Sequence, residues 1–237
     1  MNFEMSPDIK QEYFQDNYYT LLAGYVAGTL SEAENVAVAS HLTLKPEARQ
    51  IVRNMEHVAG ACLEHDLEHE KLSKKCLDQV LERLDEKREV EQSSTSQTSA
   101  AHEREAESLG FILPQPLRPY LINHIVDNEL KWKKKTRGID CLDLAISSIF
   151  KTELLRIAPD VGVPAHTHEG EEITLLLDGA FEDETGHYVR GDLIVLDERF
   201  SHYPVSDKEK GCICLAVNSA PIKMTGPFMR LLNPFLK

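Results

Sequence analysis

The segment PAHTHEGEE, residues 164–172, decides the fold of the second half of the chain. It places His166, His168 and Glu172 in the spacing H-x-H-x3-E. Side chains two apart on a strand point to the same side, so both imidazoles can converge on one point, and Glu172 follows after a glycine-containing turn. Imidazoles and a carboxylate are ligands for Zn, Fe, Mn, Ni or Cu. The segment therefore predicts that one hairpin supplies most of a metal site.

Residues further along the chain extend this pattern. Gly179 lies seven residues after the carboxylate, and His202 lies eleven residues after Gly191. The combined spacing resembles the two-part motif of the cupin barrel, H-x-H-x3-E-x6-G and then G-x10-H, which makes His202 the expected fourth ligand. The turn chemistry differs, because Asp197 and Arg199 stand where cupins usually have Pro and Gly. The alternative is that surface histidines alternate here by chance.

The rest of the second half is rich in Leu, Ile and Val between Gly, Pro and Asp turns, which is typical of an antiparallel sandwich or barrel. Cys212 and Cys214 lie two apart on one expected strand and so share a face. They could extend the metal site, act as a thiol pair, or pack in the sheet core. The expected strands lie in LLRIAPDVGV (154–163), EEITLLLDGAF (171–181), GHYVRGDLIVL (186–196) and GCICLAV (211–217).

The first half has a helical pattern instead. Ser31 and Glu34 have the spacing of a capping box, and Pro46 suits the first turn of another helix. After Pro46, apolar residues recur at helical spacing and predict a buried stripe; they are Ala48, Ile51, Val52, Met55, Val58, Ala59 and Cys62. A fourth amphipathic helix follows, with Leu72, Cys76, Val80 and Leu84 flanked by Leu77 and Leu81. The polar segment after residue 91 predicts a linker.

Charge and composition exclude several classes of protein. The 237 residues carry a net charge of −13, which opposes direct binding to nucleic acid. The one basic cluster, KWKKKTR at 131–137, is expected to be a solvated edge with Trp132 beneath it. No stretch has the ~20 apolar residues of a membrane span, and no secretory signal is visible, so a cytoplasmic location is expected. Five irregularly spaced cysteines predict reduced thiols.

Taken together, these segments resemble the ChrR-type anti-sigma factors, in which a helical anti-sigma domain precedes a cupin-like domain. The resemblance covers nearly the whole chain. Its carriers are YVAGTLSEAE (25–34), HLTLKPEAR (41–49), HTHEGEE (166–172), GAFEDETGHYVRGD (179–192), His202 with Tyr203 and Pro204, CICLAV (212–217) and SAPIKMTG (219–226).

The resemblance implies a regulator rather than a catalyst. In such proteins the helical domain binds an extracytoplasmic-function sigma factor and blocks its access to RNA polymerase. The cupin-like domain holds zinc and is needed for release in response to singlet oxygen or organic hydroperoxides. The family's cupin ligands fall on His166, His168, Glu172 and His202, and its paired cysteines fall on Cys212 and Cys214.

The first half departs from the family's chemistry. The family's anti-sigma zinc is held by an early His and then H-x3-C-x2-C, whereas here only His41 remains and Lys45 and Ala48 replace the cysteines. Counting back places Asp16 at the first ligand position. Without thiolates, and with an ammonium present, this degenerate site is not expected to bind zinc. Our hypothesis is that Lys45 pairs with Asp16 near His41; the alternative is that Lys45 extends into solvent.

We therefore expect a two-domain anti-sigma factor. An all-α anti-sigma domain spans residues 1–95, a linker spans 96–109, and an all-β cupin barrel spans 110–237 and holds one zinc ion, or Fe or another divalent metal instead. Its expected partner is an extracytoplasmic-function sigma factor, and no catalytic residues are assigned. The alternative from a different class is a metal-dependent cupin oxygenase or isomerase with a helical dimerisation domain, which bound iron and a roomy cavity beside His202 would favour.

Overall fold

A computed structural model describes residues 7–66, 73–91, 109–126 and 129–225. The first half is helical, as expected, with α1 (Pro7–Ala27), α2 (Glu32–Leu44), α3 (Pro46–Asp66) and α4 (Lys74–Glu91). The capping box at the start of α2 is confirmed: the Glu34 amide donates to Ser31 Oγ, and the Ser31 amide donates to Glu34 Oε2. Almost all of the predicted linker, 96–109, lies outside the described residues.

The second half is built from short antiparallel strands. Three helical turns, Gln115–Leu117, Arg118–Leu121 and Ile122–His124, precede them. The strands are β1 (Ile125–Val126), β2 (Glu129–Leu130), β3 (Lys133–Thr136), β4 (Ile139–Asp143), β5 (Lys151–Ile157), β6 (His166–His168), β7 (Glu172–Asp183), β8 (Gly186–Val189), β9 (Leu193–Leu196), β10 (Ser201–His202), β11 (Val205–Ser206), β12 (Cys212–Asn218) and β13 (Ile222–Met224).

These strands form the expected antiparallel barrel. Among the described strands, the large sheet runs β11-β7-β12-β5-β4-β3, with β8 and β9 also pairing with β7. A smaller sheet runs β10-β6-β13 and carries the histidine segment. The basic cluster behaves as predicted, because β3 is an exposed edge strand and the Arg156 guanidinium lies 4.7 Å from the Trp132 ring centroid.

The large sheet buries both of its faces. Alternate residues of one strand belong to two different hydrophobic clusters, so that Leu175 and Leu177 lie in one and Leu176 in the other. The first cluster also contains Leu21 and Leu22 of α1, together with buried residues of α2 and α3. The helices therefore cover the outer face of the sheet and share a core with it. The other face lines the barrel interior, where Glu172 also lies.

The stripe predicted along α3 is buried over only half of its length. Ala48 and Val52 are buried, whereas Val58 is 66% exposed and Cys62 is exposed as well. The prediction was wrong for the second half because helical periodicity identifies an apolar face without showing whether this chain covers it. None of the described helices combines the length and apolarity that a membrane-spanning helix needs.

Gly179 sits where β7 bends, and we expect alanine there to destabilise the fold strongly. Its φ is +68°, and an added Cβ would lie 2.1 Å from the Gly211 carbonyl oxygen, a backbone atom that cannot move aside. Gly179→Ala should lower the free energy of unfolding by about 3 kcal/mol in urea titration. The matched control is Gly60→Ala on α3, where a Cβ meets nothing within 4 Å and alanine should stabilise slightly. Equal effects of the two substitutions would contradict this account of the bend.

Candidate metal centre

Four side chains from three strands converge inside the barrel. His166 and His168 lie on β6, Glu172 begins β7, and His202 ends β10. Strand β10 pairs with β6 so that His202 lies opposite His166. All four side chains are buried or nearly so. Across the described residues, these four form the one group of at least three His, Cys, Asp or Glu side chains placed to hold an ion.

The distances between the ligand atoms suit a small divalent cation. His202 Nε2 lies 3.0 Å from His166 Nε2 and 3.4 Å from His168 Nε2. Glu172 Oε2 lies 3.2 Å from His168 Nε2 and 4.0 Å from His202 Nε2. Tetrahedral zinc with Zn–N bonds near 2.05 Å separates its ligand atoms by about 3.3 Å. All four ligand atoms lie within 4.8 Å of one another, so they are close enough to coordinate one cation.

Hydrogen bonds on the far side of two rings determine which nitrogen faces this point. His166 Nδ1 lies 2.9 Å from the Pro164 carbonyl oxygen, and His202 Nδ1 lies 2.8 Å from Asp183 Oδ2. Both partners are acceptors, so each Nδ1 carries a proton, and in a neutral ring Nε2 then presents its lone pair. Two such lone pairs facing each other across 3.0 Å repel unless a cation or a shared proton lies between them. The donor set thus fits a metal ion.

Burial also keeps two of the imidazoles in the metal-binding form. Burial lowers the pKa of His166 to about 4, with a further contribution from neighbouring His202. The pKa of His168 is likewise lowered to about 4, first by burial and then by His202. A neutral imidazole is the form that coordinates metal, so at pH 7 neither ring must lose a proton to bind one.

Asp183 is a contributor that the sequence did not reveal. Burial alone would raise its pKa, but hydrogen bonds from His202 and Thr185 hold the pKa below its usual value. The carboxylate therefore stays charged and orients the His202 ring, as carboxylates do behind many metal-binding histidines. Its signal in the sequence, the DETG turn at 183–186, indicates only a turn, and Asp183 Oδ1 does accept the amides of Thr185 and Gly186.

The paired cysteines lie in the barrel core. Cys212 and Cys214 are both buried and belong to the interior cluster with Leu176 and Phe200. Burial raises the pKa of Cys212 to about 12 and raises that of Cys214 well above its usual value. Because the thiolate is the reactive form, their environment opposes redox chemistry and favours packing.

Two residues of the degenerate N-terminal site, His41 and Lys45, contact the barrel. Lys45 Nζ lies 2.8 Å from Asp192 Oδ1, so the proposed pair with Asp16 was wrong, and Asp16 is exposed. The reason is that α2 ends against the β8–β9 turn. A Cβ on Gly191, whose φ is +92°, would lie 2.9 Å from Lys45 Cε. Both ends of the ion pair are about 30% exposed, so it contributes on the order of 0–1 kcal/mol.

His41 joins three elements at this contact. Its Nδ1 lies 2.8 Å from the Gly191 carbonyl oxygen on the barrel, and its Nε2 lies 2.9 Å from the Tyr18 hydroxyl on α1. Burial lowers the pKa of His41, which keeps the ring neutral, with Nδ1–H donating and Nε2 accepting. Ala48, the other former ligand position, is buried on α3. Of the four degenerate positions, His41 and Lys45 contact the barrel.

Removing the His41 ring should therefore cost stability. His41→Ala deletes both hydrogen bonds and leaves a cavity, and we expect the free energy of unfolding to fall by about 2–3 kcal/mol. His57→Ala is the matched control, because His57 is an exposed histidine on α3 and its loss should change stability by less than about 0.5 kcal/mol. Thermal and urea unfolding of the full chain measure both. Similar losses for the two variants would show that His41 does not join the helices to the barrel.

Comparisons with known proteins agree with this architecture. A family model for the ChrR cupin-like domain matches residues 123–222. The anti-sigma-E factor ChrR of Cereibacter sphaeroides is 33% identical over 217 residues, which cover 92% of this chain and 95% of that protein. The crystal structure of Rhodobacter sphaeroides SigE in complex with the anti-sigma ChrR matches at 31% identity and a TM-score of 0.63, covering 84% of this chain and 95% of that one. The expected fold class, a helical half followed by a cupin-like half, is confirmed.

Proposed function

The chain belongs to the ChrR family of anti-sigma factors, and from that premise we propose that it binds an extracytoplasmic-function sigma factor and keeps it from RNA polymerase. The relative of known structure is a complex with SigE, which supports a sigma factor as the partner. A sigma factor acts in the cytoplasm, and we place this chain there with it. The helical domain of residues 1–95 binds the sigma factor, and the cupin domain of residues 110–237 controls release.

Exposed apolar side chains on two helices support this proposal most directly. Five of them are at least half exposed: Val58 and Leu63 on α3, and Leu77, Val80 and Leu81 on α4. On α4 they follow the i, i+3, i+4 spacing of one helix face. An apolar helix face open to water is typical of a surface that a partner covers. We refer to these five residues, two on α3 and three on α4, as the apolar face and propose that both groups contact the sigma factor.

The net charge of the chain favours the same partner. The chain has a net charge of −13, and sigma factors present basic surfaces to nucleic acid. A strongly acidic chain attracts such a surface at long range, which raises the association rate, while the apolar contacts slow dissociation. Competition for the sigma surface then accounts for inhibition without any catalytic step.

The metal site serves as the sensor in this proposal. His166, His168, Glu172 and His202 hold a divalent cation, for which we propose zinc because the four-ligand set suits it. Such a cation supplies fixed coordination bonds that join the ends of β6, β7 and β10. Singlet oxygen or an organic hydroperoxide oxidises a ligand side chain of this site. The helical domain then releases the sigma factor. We do not propose an oxygenase or isomerase activity, since the matching relatives that span most of the chain are anti-sigma factors.

Inhibition of transcription in a purified system tests the proposed function. The full chain retains its sigma partner from a lysate of the native host, and that sigma factor is then mixed with core RNA polymerase and a promoter it recognises. We expect one equivalent of the chain to abolish transcription when added before the polymerase. An unrelated sigma factor in the same assay is the control. Transcription that persists at tenfold excess of the folded chain would contradict the proposal.

A further inference from the structure

The loop between β9 and β10 binds helix α1 at the place where the sequence departs from the cupin pattern. Asp197 Oδ2 accepts a 2.5 Å hydrogen bond from the Tyr13 hydroxyl and a 2.7 Å bond from Arg199 Nη2. Arg199 Nη2 also donates to the Tyr13 hydroxyl oxygen at 2.6 Å, and the guanidinium carbon lies 4.0 Å from the Tyr13 ring centroid. Asp197 and Arg199 occupy the positions where cupins usually have Pro and Gly. Their side chains form a polar binding site for Tyr13 of α1.

The same loop also holds α1 through an aromatic contact. The Phe200 ring is buried, and its centroid lies 4.9 Å from that of Tyr13 and 4.8 Å from that of Phe14. Aromatic pairs at this separation stabilise beyond the effect of their buried area alone. Polar and aromatic contacts therefore act together on two adjacent residues of α1.

On its other side, the loop is tied to the strand that carries two metal-site histidines. Thr167, which lies between them, donates its hydroxyl to the carbonyl oxygens of Phe200 at 2.7 Å and Glu198 at 3.2 Å. Ser201 pairs with Thr167 in the β10–β6 ladder, and His202 is the next residue. Hydrogen bonds and strand pairing therefore connect the loop to β6, and the chain itself connects it to His202.

The position of His202 depends on what lies between the imidazoles. Its Nε2 lies 3.0 Å from that of His166, so a bound cation would coordinate both nitrogens. Loss of the cation would remove the coordination bonds that hold the two rings at this distance. Because His202 follows Phe200 by two residues, its displacement would shift the loop residues that contact Tyr13 and Phe14.

We propose that residues 197–200 form a clamp on α1 whose hold depends on occupancy of the His166–His168–Glu172–His202 site, so that a change at the metal is passed to the helical domain through Tyr13 and Phe14. The inference rests on the proposed function, since it takes these four residues to hold a metal and α1 to belong to the sigma-binding domain. The clamp gives the cupin domain a physical route to helices that would bind the partner.

Hydrogen–deuterium exchange of the full chain, with and without a chelator, tests the clamp without any sigma factor. Removal of the metal should accelerate exchange of α1 amides around residues 13–20 by roughly tenfold, because local opening of the helix becomes easier. Amides of α4 should change little, because the residues found in contact with the loop lie on α1. Metal content of each sample is measured in parallel by mass spectrometry.

Substitutions in the loop separate the clamp from the metal site. Arg199→Ala and Phe200→Ala should accelerate α1 exchange in the metal-loaded protein and reduce the effect of the chelator, while metal content stays near one per chain. Arg199 is exposed, whereas Phe200 is buried. Arg199→Ala should therefore fold even if Phe200→Ala does not. Glu198→Ala is the matched control, since the Glu198 side chain is exposed on the same loop and contributes only its carbonyl.

The outcomes distinguish failure of the clamp from failure of the proposed function. A protein that binds metal but whose α1 amides exchange equally fast with and without it overturns the clamp alone. Arg199→Ala and Glu198→Ala behaving alike does the same. A protein that binds no metal overturns both the clamp and the sensor role, whatever its affinity for a sigma factor.

Discussion

Leu81→Asp weakens binding of the sigma factor by roughly 100-fold or more, the loss expected when a charge replaces a central apolar anchor. Leu81 is 50% exposed on α4 and lies one turn after Leu77, beside Val80, on the apolar face. The carboxylate would have to lose its hydration in the complex without a partner to compensate. In the free chain the same side chain meets water, so folding and metal content should not change. Calorimetric titration of the variant with the purified sigma factor measures the loss.

Gln79→Asp is the matched control for this prediction. Gln79 is exposed on the same helix, and its position two residues before Leu81 directs it away from the apolar face. It introduces an identical charge, and its affinity for the sigma factor should remain within about threefold of the unchanged chain. Equal losses for both variants would mean that α4 acts through its net charge, and unchanged binding by Leu81→Asp would remove α4 from the interface.

His168→Ala removes the metal. Four ligands share the roughly 12 kcal/mol by which proteins bind structural zinc, so one ligand accounts for about 3 kcal/mol, or more than 100-fold in affinity. After dialysis against a moderate chelator, the unchanged chain should keep about one metal ion and the variant fewer than about 0.1. Sigma binding should be weakened through α1 but still measurable, because the apolar face is on α3 and α4, and any further release by an organic hydroperoxide should be lost.

His187→Ala is the control for the loss of metal, because His187 is an exposed histidine of the same barrel, on β8. This variant should keep its metal and its response to hydroperoxide. Retention of a full equivalent by His168→Ala would show that the ion lies elsewhere. Failure of His168→Ala to bind the sigma factor at all would contradict the assignment of a sensor role to the cupin domain.

Local rules predicted the parts of this molecule that depend on neighbouring residues. The period of two along a strand brought His166 and His168 to one side, and the capping box located the start of α2. The spacing of a known two-part motif added Glu172 and His202, which the structure brings within 4.8 Å of the others. The first two rest on local backbone geometry, whereas the assignment of His202 rests on the resemblance to that motif.

Those rules could not predict contacts between segments that are far apart in the sequence. Lys45 could be assigned a carboxylate partner by counting along helices, but the turn that meets α2 is set by how the helices pack on the sheet, and it supplies Asp192. Tyr13 gave no signal for the same reason, since its partner Asp197 is 184 residues away. The apolar stripe of α3 shows the same limit, because periodicity does not reveal whether a face is covered by this chain or by another protein.

X-ray absorption at the metal edge of the purified full chain reports which atoms surround the ion. We expect one divalent ion per chain with only nitrogen and oxygen neighbours at about 2.0–2.2 Å, and imidazole scattering from three rings. A sulfur shell near 2.3 Å would instead place the ion on cysteines such as Cys212 and Cys214. That result, or a folded chain with no bound ion, would contradict the assignment of His166, His168, Glu172 and His202.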